Sequence, residues 1–295
     1  MALSTKTRSL LIVLSAYVVA LAAATFAGYL VRGQHPIVIA LVADVVGTIV
    51  IFIFSLLFNN SSFYDAYWSV APIAIGGYWI WVARDQDPNV VRQVLAFGLV
   101  TVWGVRLTFN WARGWTGLGH EDWRYVDLRV RHGRVYWLVS FGGIHFFPTA
   151  LVFAGCLPLY VAVSDGSQAI GVTDGVAAFV MAFAILLEAT SDKQLRRFVL
   201  SKPPQSAMLE TGLWAYSRHP NYLGEVSFWF GLFLFGVASG FEYWWTAAGF
   251  VSMLLLFLLV SIPMIEKRHL ARRPDYADLM RRIPMLFPLP VRKYD

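Results

Sequence analysis

The stretch Tyr216-Ser217-Arg218-His219-Pro220-Asn221-Tyr222-Leu223-Gly224-Glu225 gathers a guanidinium, an imidazole, an amide, two phenols and a carboxylate into ten residues. Proline disfavours helix in the residue before it and fits the first turn of a helix after it, so the motif predicts a turn that opens an apolar helix. Arg218 and His219 then lie beside that first turn, where free backbone N–H groups and the helix dipole favour anions. Asn221 and Glu225 are four apart and share a helix face, a pairing that suits a carboxamide or a ribose. A basic loop resting on lipid headgroups would use the same arginine and histidine, and spacing alone leaves both readings open.

Two further stretches carry charge in order. Upstream, Glu188, Asp192 and Arg196 recur every four residues, a polar stripe on a helix that leaves an apolar run. Arg196, Arg197 and Lys202 are candidates to hold phosphates; an arginine-rich helix end is also the ordinary signal for a cytoplasmic boundary. Downstream come Glu266, Lys267, Arg268, His269, Arg272, Arg273, Tyr276, Arg281 and Arg282, closing in Ile283-Pro284-Met285-Leu286-Phe287-Pro288. His269 and Tyr276, set among the cations, fit a nucleotide grip better than a plain polybasic patch. The segment His120-Glu121-Asp122-Trp123-Arg124-Tyr125 packs acids, base and aromatics as either a salt-bridged cap or a direct contact to a ligand.

The elements that must position these residues are membrane helices. Of 295 residues, 58% are apolar and 14% charged, against about 25% charged in soluble domains. A hydrocarbon core of about 30 Å needs roughly 20 apolar residues in a helix. Eight runs meet or approach that length: 9–31, 36–58, 66–83, 90–110, 135–162, 170–190, 222–240 and 243–264. The third and seventh are short and the fifth contains Pro148 and Pro158, so the count lies between seven and nine. The expected fold is all-α and polytopic, one membrane domain over 1–295, with N-terminal helices in 1–110 and a cofactor-binding half in 111–290. With eight spans and a cytoplasmic N-terminus, twenty basic residues fall inside against three outside, and Arg106 lies within a span. Both termini are therefore expected in the cytoplasm, in the inner membrane if the source is bacterial. Asp65, Arg106, Glu188 and Glu225 all fall toward that end; Asp44 is the exception. Ionisable groups in a bilayer usually face a cavity or a partner, and four on one side favour a polar cavity open to the cytoplasm.

Several classes are unsupported. There is no GxGxxG after a strand, no GxxxxGK[ST], no HExxH and no GxSxG. The lone Cys156 allows neither an intrachain disulfide nor a thiolate metal site. The net charge of +6 is explained by orientation in the membrane, without nucleic acid.

Taken in order, the Ser191-Asp192-x-x-Leu195-Arg196 stretch, the Tyr216–Glu225 stretch and the closing Glu266…His269…Tyr276…Ile283-Pro284…Pro288 resemble the C-terminal half of the steroid 5α-reductases, especially bacterial relatives. The 120–125 loop is similar to those members, and the Arg-His-Pro-Asn-Tyr-x-Gly and terminal patterns are shared with sterol reductases. The resemblance covers roughly 110–290. It implies an NADPH-dependent reductase that takes its cofactor from the cytoplasm and a lipophilic enone from the bilayer. The cofactor would be contacted by Glu188, Asp192, Arg196, Arg197, Arg218, His219, Asn221, Tyr222, Glu225, Arg268, His269 and Tyr276. The family's Gln-Glu pair, and the tyrosine on the next span, are not reproduced in the sequence; the nearest match is Tyr64-Asp65. Tyr64, Tyr67 or a protonated Asp65 would then donate a hydrogen bond to the substrate carbonyl. The alternative is a membrane methyltransferase of the isoprenylcysteine carboxyl methyltransferase type, which uses S-adenosylmethionine and carries a similar Arg-His-Pro turn.

Overall fold

The computed structural model describes residues 4–288; Arg292 and Lys293 of the basic tail lie outside the described residues. Among those described, every regular element is helical. In chain order these are α1 (Thr5–Leu30), α2 (Pro36–Leu57), α3 (Tyr67–Ala83), α4 (Val90–Gly114), α5 (Trp123–His132), α6 (Tyr136–Val139), α7 (Phe147–Ser164), α8 (Val172–Leu200), α9 (Pro220–Ser239), α10 (Ala247–Leu256), α11 (Ile262–Arg272) and α12 (Tyr276–Arg282). A π-helical segment, Ser140–Phe146, joins α6 to α7, and a second, Phe257–Ser261, joins α10 to α11. Seven helical segments are long and apolar enough to cross a membrane. The protein is a polytopic helical membrane protein.

The eighth crossing is α3, with 17 residues, about 25 Å of helix. The connectors at its two ends show that it traverses the bundle. Before α3, Asn60 donates to the carbonyls of Leu118 and His120 in the loop after α4. After α3, Gly166 lies so close to the Asp87 carbonyl that no side chain would fit, and Asn89 donates to Gln168 O. Connectors thus meet alternately at one end and then the other. The end holding 58–66, 115–122, 201–219 and 273–288 is called here the basic end.

What shortens α3 is a connector that folds back into the bundle. Asn60 caps a 3-10 turn, Ser61–Tyr64, by accepting from Ser62 N, and all four turn residues are buried. Tyr17, in the middle of α1, donates to Phe63 O at 2.8 Å, so this non-helical backbone reaches well below the end of α1. Such backbone is tolerated at membrane depth only where protein satisfies it. At the opposite end Arg92, fully buried, donates to both carboxylate oxygens of Asp174 (2.6 and 3.1 Å) and to the carbonyls of Gln168 and Ala169. A single core runs from α1 to the second π segment, with α7 packed between α3 and α9. Gly155 admits that contact: a Cβ there would lie 2.5 Å from the Trp229 ring.

Candidate functional site

Three polar groups sit in or beside the membrane region, two near the basic end and a third that runs from it into the bundle. The first lies where α4, α8 and α9 meet. Helix α9 approaches α8 at Gly224, where a Cβ would stand 2.8 Å from Glu188 Cβ and 3.0 Å from Ala184 O, so only a residue without a side chain allows this approach. That brings Glu188 and Glu225 side by side. Glu225 is buried and accepts from two indoles, Trp103 on α4 (3.0 Å) and Trp229 on its own helix (2.9 Å). Arg106, one turn beyond Trp103, stands 2.5 Å from Glu188 and 3.1 Å from Asp192. Asn110, one turn further on α4, donates to the same Asp192 oxygen at 3.0 Å, and Asn221 lies within reach of it. The Arg106–Glu188 contact is close but out of hydrogen-bonding alignment. Arg106 Nη2 and Glu188 Oε2 have only each other, and Arg106 Nε is buried with no hydrogen-bond partner among the described residues, which costs free energy unless a further group completes it.

This group opens into a cleft of about 500 Å³ between α4 and α8. Arg113, Lys193, Arg196 and Arg197 line its mouth, Arg106 and Asp192 its floor, and Phe109 and Leu200 its apolar rim. Helix α8 has 29 residues, about 44 Å, so its last turns, with Arg196 and Arg197, extend past a hydrocarbon core. Of the three carboxyl groups only Asp192 lines the cleft, paired with Arg106 at its floor; Glu188 and Glu225 lie buried behind it, and the mouth is cationic.

The second group is a latch between the start of α9 and the C-terminal segment. Arg218 Nε donates to Glu266 Oε1 on α11 (2.8 Å), and its Nη1 donates to Met280 O and Ile283 O (2.8 and 2.6 Å). His219 Nε2 pairs with the same Glu266 oxygen at 3.1 Å, and Arg218 N donates to Pro284 O at 2.9 Å. Arg218 and His219 are buried. They point into the protein, and their partners explain why the Arg-His-Pro motif and the terminal Ile-Pro motif occur together. His269 stacks on Tyr276 (centroids 4.9 Å) and lies beside Arg273; burial pushes the Tyr276 phenol up to about 12. Arg268 sits 3.8 Å over the Trp123 ring, tying α11 to α5. Tyr222 connects the two groups, stacked on His219 and tilted against Phe257.

The third group corrects an expectation. Tyr64, Asp65 and Tyr67 do not form one site. Tyr64 ends the 3-10 turn and Tyr67 opens α3, with their rings 5.6 Å apart on one side, while Asp65 between them faces Tyr125. Asp65 accepts from Tyr125 on α5 at 2.6 Å, where Asp122 caps the helix and pairs with Arg124. Burial pushes the Asp65 carboxyl up to about 6, against the Tyr125 hydrogen bond and the Arg124 charge. The two tyrosines instead join a buried set inside the bundle. Tyr67 donates to Asp44 Oδ1 on α2 at 3.1 Å, and Tyr64 shares a hydrogen bond with Thr149 (2.8 Å), itself bonded to Thr48 (2.9 Å). His145, aimed inward by the π segment, meets Ser55 at 3.0 Å and lies against the Tyr64 ring. Asp44 Oδ2 is buried with no partner.

Glu188, Asp192, Asn221, Glu225 and the cleft arginines 196 and 197 are thus brought together, with Tyr222 beside them. Arg218, His219, Arg268, His269 and Tyr276 assemble one layer outward. Sequence reasoning set Arg106 with Glu188 and Glu225 toward one polar cavity, and missed Trp103, Asn110 and Trp229 as members of the first group. The i, i+3, i+7 spacing of Trp103, Arg106 and Asn110 on one face of α4 was the available signal. Sequence reasoning also set aside Asp44, whose partner Tyr67 lies on the next span, 23 residues on.

A family model described as a protein of unknown function, DUF1295, matches residues 51–283. The chain belongs to that family. The match takes in both halves of the latch, the α4–α8–α9 group and its cleft. Among curated proteins an uncharacterised protein of Schizosaccharomyces pombe is 26% identical over 276 residues, covering 86% of this chain and 80% of its own length. No solved structure matches.

Proposed function

We propose that the protein is an NADPH-dependent membrane reductase that transfers hydride to an activated C=C bond of a lipophilic enone. The family's association with steroid 5α-reductase-like proteins supports the class. The observation that carries it is the α4–α8–α9 group: buried, incompletely satisfied and opening through Arg106, Asn110 and Asp192 into a cleft with an ion pair at its floor and, at its mouth, cations unpaired among the described residues. That polarity fits one end of a dinucleotide to each part. Phosphates would be held by Arg113, Lys193, Arg196 and Arg197, whose forked or flexible donors suit them. The amide-bearing ring would lie toward Asp192 and Asn110, in front of Glu188 and Glu225, where Arg106 Nε has no hydrogen-bond partner among the described residues. NADPH, when bound, supplies the hydride.

This chain's own groups do the rest. Trp103 and Trp229 fix the Glu225 carboxylate, and Arg106, Asn110 and Asn221 fix Asp192, so the floor is ordered before a ligand arrives. The Asp44–Tyr67 pair, with Tyr64 alongside, is the donor set for the substrate carbonyl, where negative charge develops. Tyr67, held on Asp44, and Tyr64, held on Thr149, are the hydroxyls in that set. The substrate itself is a lipid-soluble enone of steroid, sterol or isoprenoid type, and the cofactor mouth faces the cytoplasm by the distribution of basic residues.

The carboxyl groups at and behind the floor also favour a second reading. Three carboxyl groups around one guanidinium suit the sulfonium and amino groups of S-adenosylmethionine, as in a membrane methyltransferase. Titration of the detergent-purified protein with NADPH, NADH and S-adenosylmethionine, with Asn221→Ala and Asn110→Ala as controls, separates the two. NADPH binding weakened about tenfold or more in both variants is expected, from the loss of hydrogen bonds that fix Asp192. Binding of S-adenosylmethionine alone would replace the reductase with the methyltransferase.

A further inference from the structure

The end of the bundle opposite the cleft carries a recess of about 720 Å³, formed where the connectors after α1, α3, α7 and α9 meet. Its wall is aromatic: His35, Tyr160, Tyr243 and Trp245. His35 and Tyr160 stand edge to face at 5.5 Å. Its charge comes from Asp87 and Asp165, and no lysine or arginine lines it.

Both carboxylates are built into place. Asp165 accepts from Ser167 N (2.8 Å) and from the Tyr243 hydroxyl (2.8 Å). Burial alone would raise its proton affinity, but these donors and the nearby Arg92 charge hold it below the usual carboxylate range. Asp87 adopts a left-handed backbone, φ 52°, pressed against Gly166. A non-glycine residue held there is uncommon and often functional, and its side chain is exposed at the recess.

The surrounding bases do not neutralise these acids by contact. Arg92 is sealed on Asp174 and two carbonyls. Arg84 pairs with Asp85 and covers Trp81, and Arg32 lies on Tyr29. Phe241 and Trp244, 77% and 62% exposed beside the recess, set it at the level of the lipid headgroups.

We propose that this recess binds an organic ammonium ion, held by the aromatic faces and by Asp87 and Asp165. Aromatic rings attract a cation through their quadrupole, and alkylated ammonium groups, weakly hydrated, gain most from such a wall. The ligand is either a free amine or the head of a zwitterionic lipid in the leaflet at that end. The site is remote from the proposed cofactor cleft and does not depend on the reductase reading.

The test is calorimetric titration of the full chain, purified in a maltoside detergent that carries no ammonium group. The ligands are choline, its neutral isostere 3,3-dimethylbutan-1-ol, a short-chain phosphocholine lipid and the corresponding phosphoglycerol lipid. Saturable binding of choline or of the phosphocholine lipid is expected, with each neutral or anionic counterpart at least about tenfold weaker. Choline binding assigns the free ion; phosphocholine binding without it assigns the lipid head. Asp87→Asn and Trp245→Leu should each weaken that binding several-fold, at positions where the fold does not depend on the side chain's charge. Equal binding of isostere and choline, absence of binding by both ammonium ligands, or undiminished binding by both variants would overturn the proposal.

Discussion

Removing the Glu266 carboxylate should unlatch the C-terminal segment, because it leaves the Arg218 guanidinium buried without a counter-charge. Both side chains are less than a tenth exposed. Losing one partner of such a pair typically costs about 3–5 kcal/mol. Arg218 keeps two carbonyl acceptors, Met280 O and Ile283 O, which places Glu266→Ala near the lower end, about 3 kcal/mol. For a chain of this size that corresponds to a fall in Tm of roughly 6 °C, from about 2 °C per kcal/mol. The protein supplies its own reporter. Cys156 is the single cysteine and is fully buried, so a thiol-reactive fluorogenic dye labels the chain only as the bundle opens. Melting curves of wild type, Glu266→Ala, Arg218→Met and the double variant Arg218→Met/Glu266→Ala should show strong non-additivity. The double variant should melt above the Glu266→Ala single, since no orphaned charge remains. An unchanged Tm in Glu266→Ala, or additive losses in the double variant, would refute the reasoning and return Arg218 to a solvent- or ligand-facing role.

The remaining predictions use simpler readouts. Asp65 has a folded-state pKa of about 6 against an ordinary value of 3.8, so the folded state holds its proton more tightly than the unfolded one. The Asp65 contribution is therefore most favourable below about pH 4 and is lost as pH rises through 6, by at most about 2 kcal/mol because the group is partly open to water. The wild type minus Asp65→Asn difference in melting temperature should fall over that window; a difference that rises or stays flat would contradict the assignment. Arg92→Ala should destabilise by about 3 kcal/mol or more, by exposing Asp174 and two carbonyls to an empty buried space, measured by the same dye. Gly224→Val should separate α9 from α8 and, at a cost of about 1–3 kcal/mol, weaken nucleotide binding; retention of full binding would show that the Glu188–Glu225 contact is unimportant to the cleft. Tyr67→Phe should leave NADPH binding intact and abolish enone turnover, and a lost cofactor affinity would move that residue out of the substrate pocket.

The sequence by itself determined the class of fold and the order of its helices. Apolar runs of the length a bilayer demands are a one-dimensional property, and all eight correspond to helical segments in the structure. It also determined which residues share a helix face, because Glu188 and Asp192 on α8, and Asn221 and Glu225 on α9 after Pro220, are each four apart. Composition did not announce the connector 59–66, which folds back into the bundle: its polar residues read as an ordinary loop, and only packing against Tyr17 and Asn60's carbonyl partners draws it inward.

Tertiary structure alone decided who meets whom. Arg106 reaches Glu188 and Asp192 from more than eighty residues away, and Asp44 reaches Tyr67 across two helices. Spacing along one helix says which side a residue faces, not which neighbour faces back. Arg218 shows the same limit from the other direction. Its position before a helix N-terminus suggested an anion site, yet a carboxylate from α11 was already there, 48 residues on. In a bilayer a polar group must find a partner, and the partner is selected by how the helices pack. The sequence counts the polar groups; the packing pairs them.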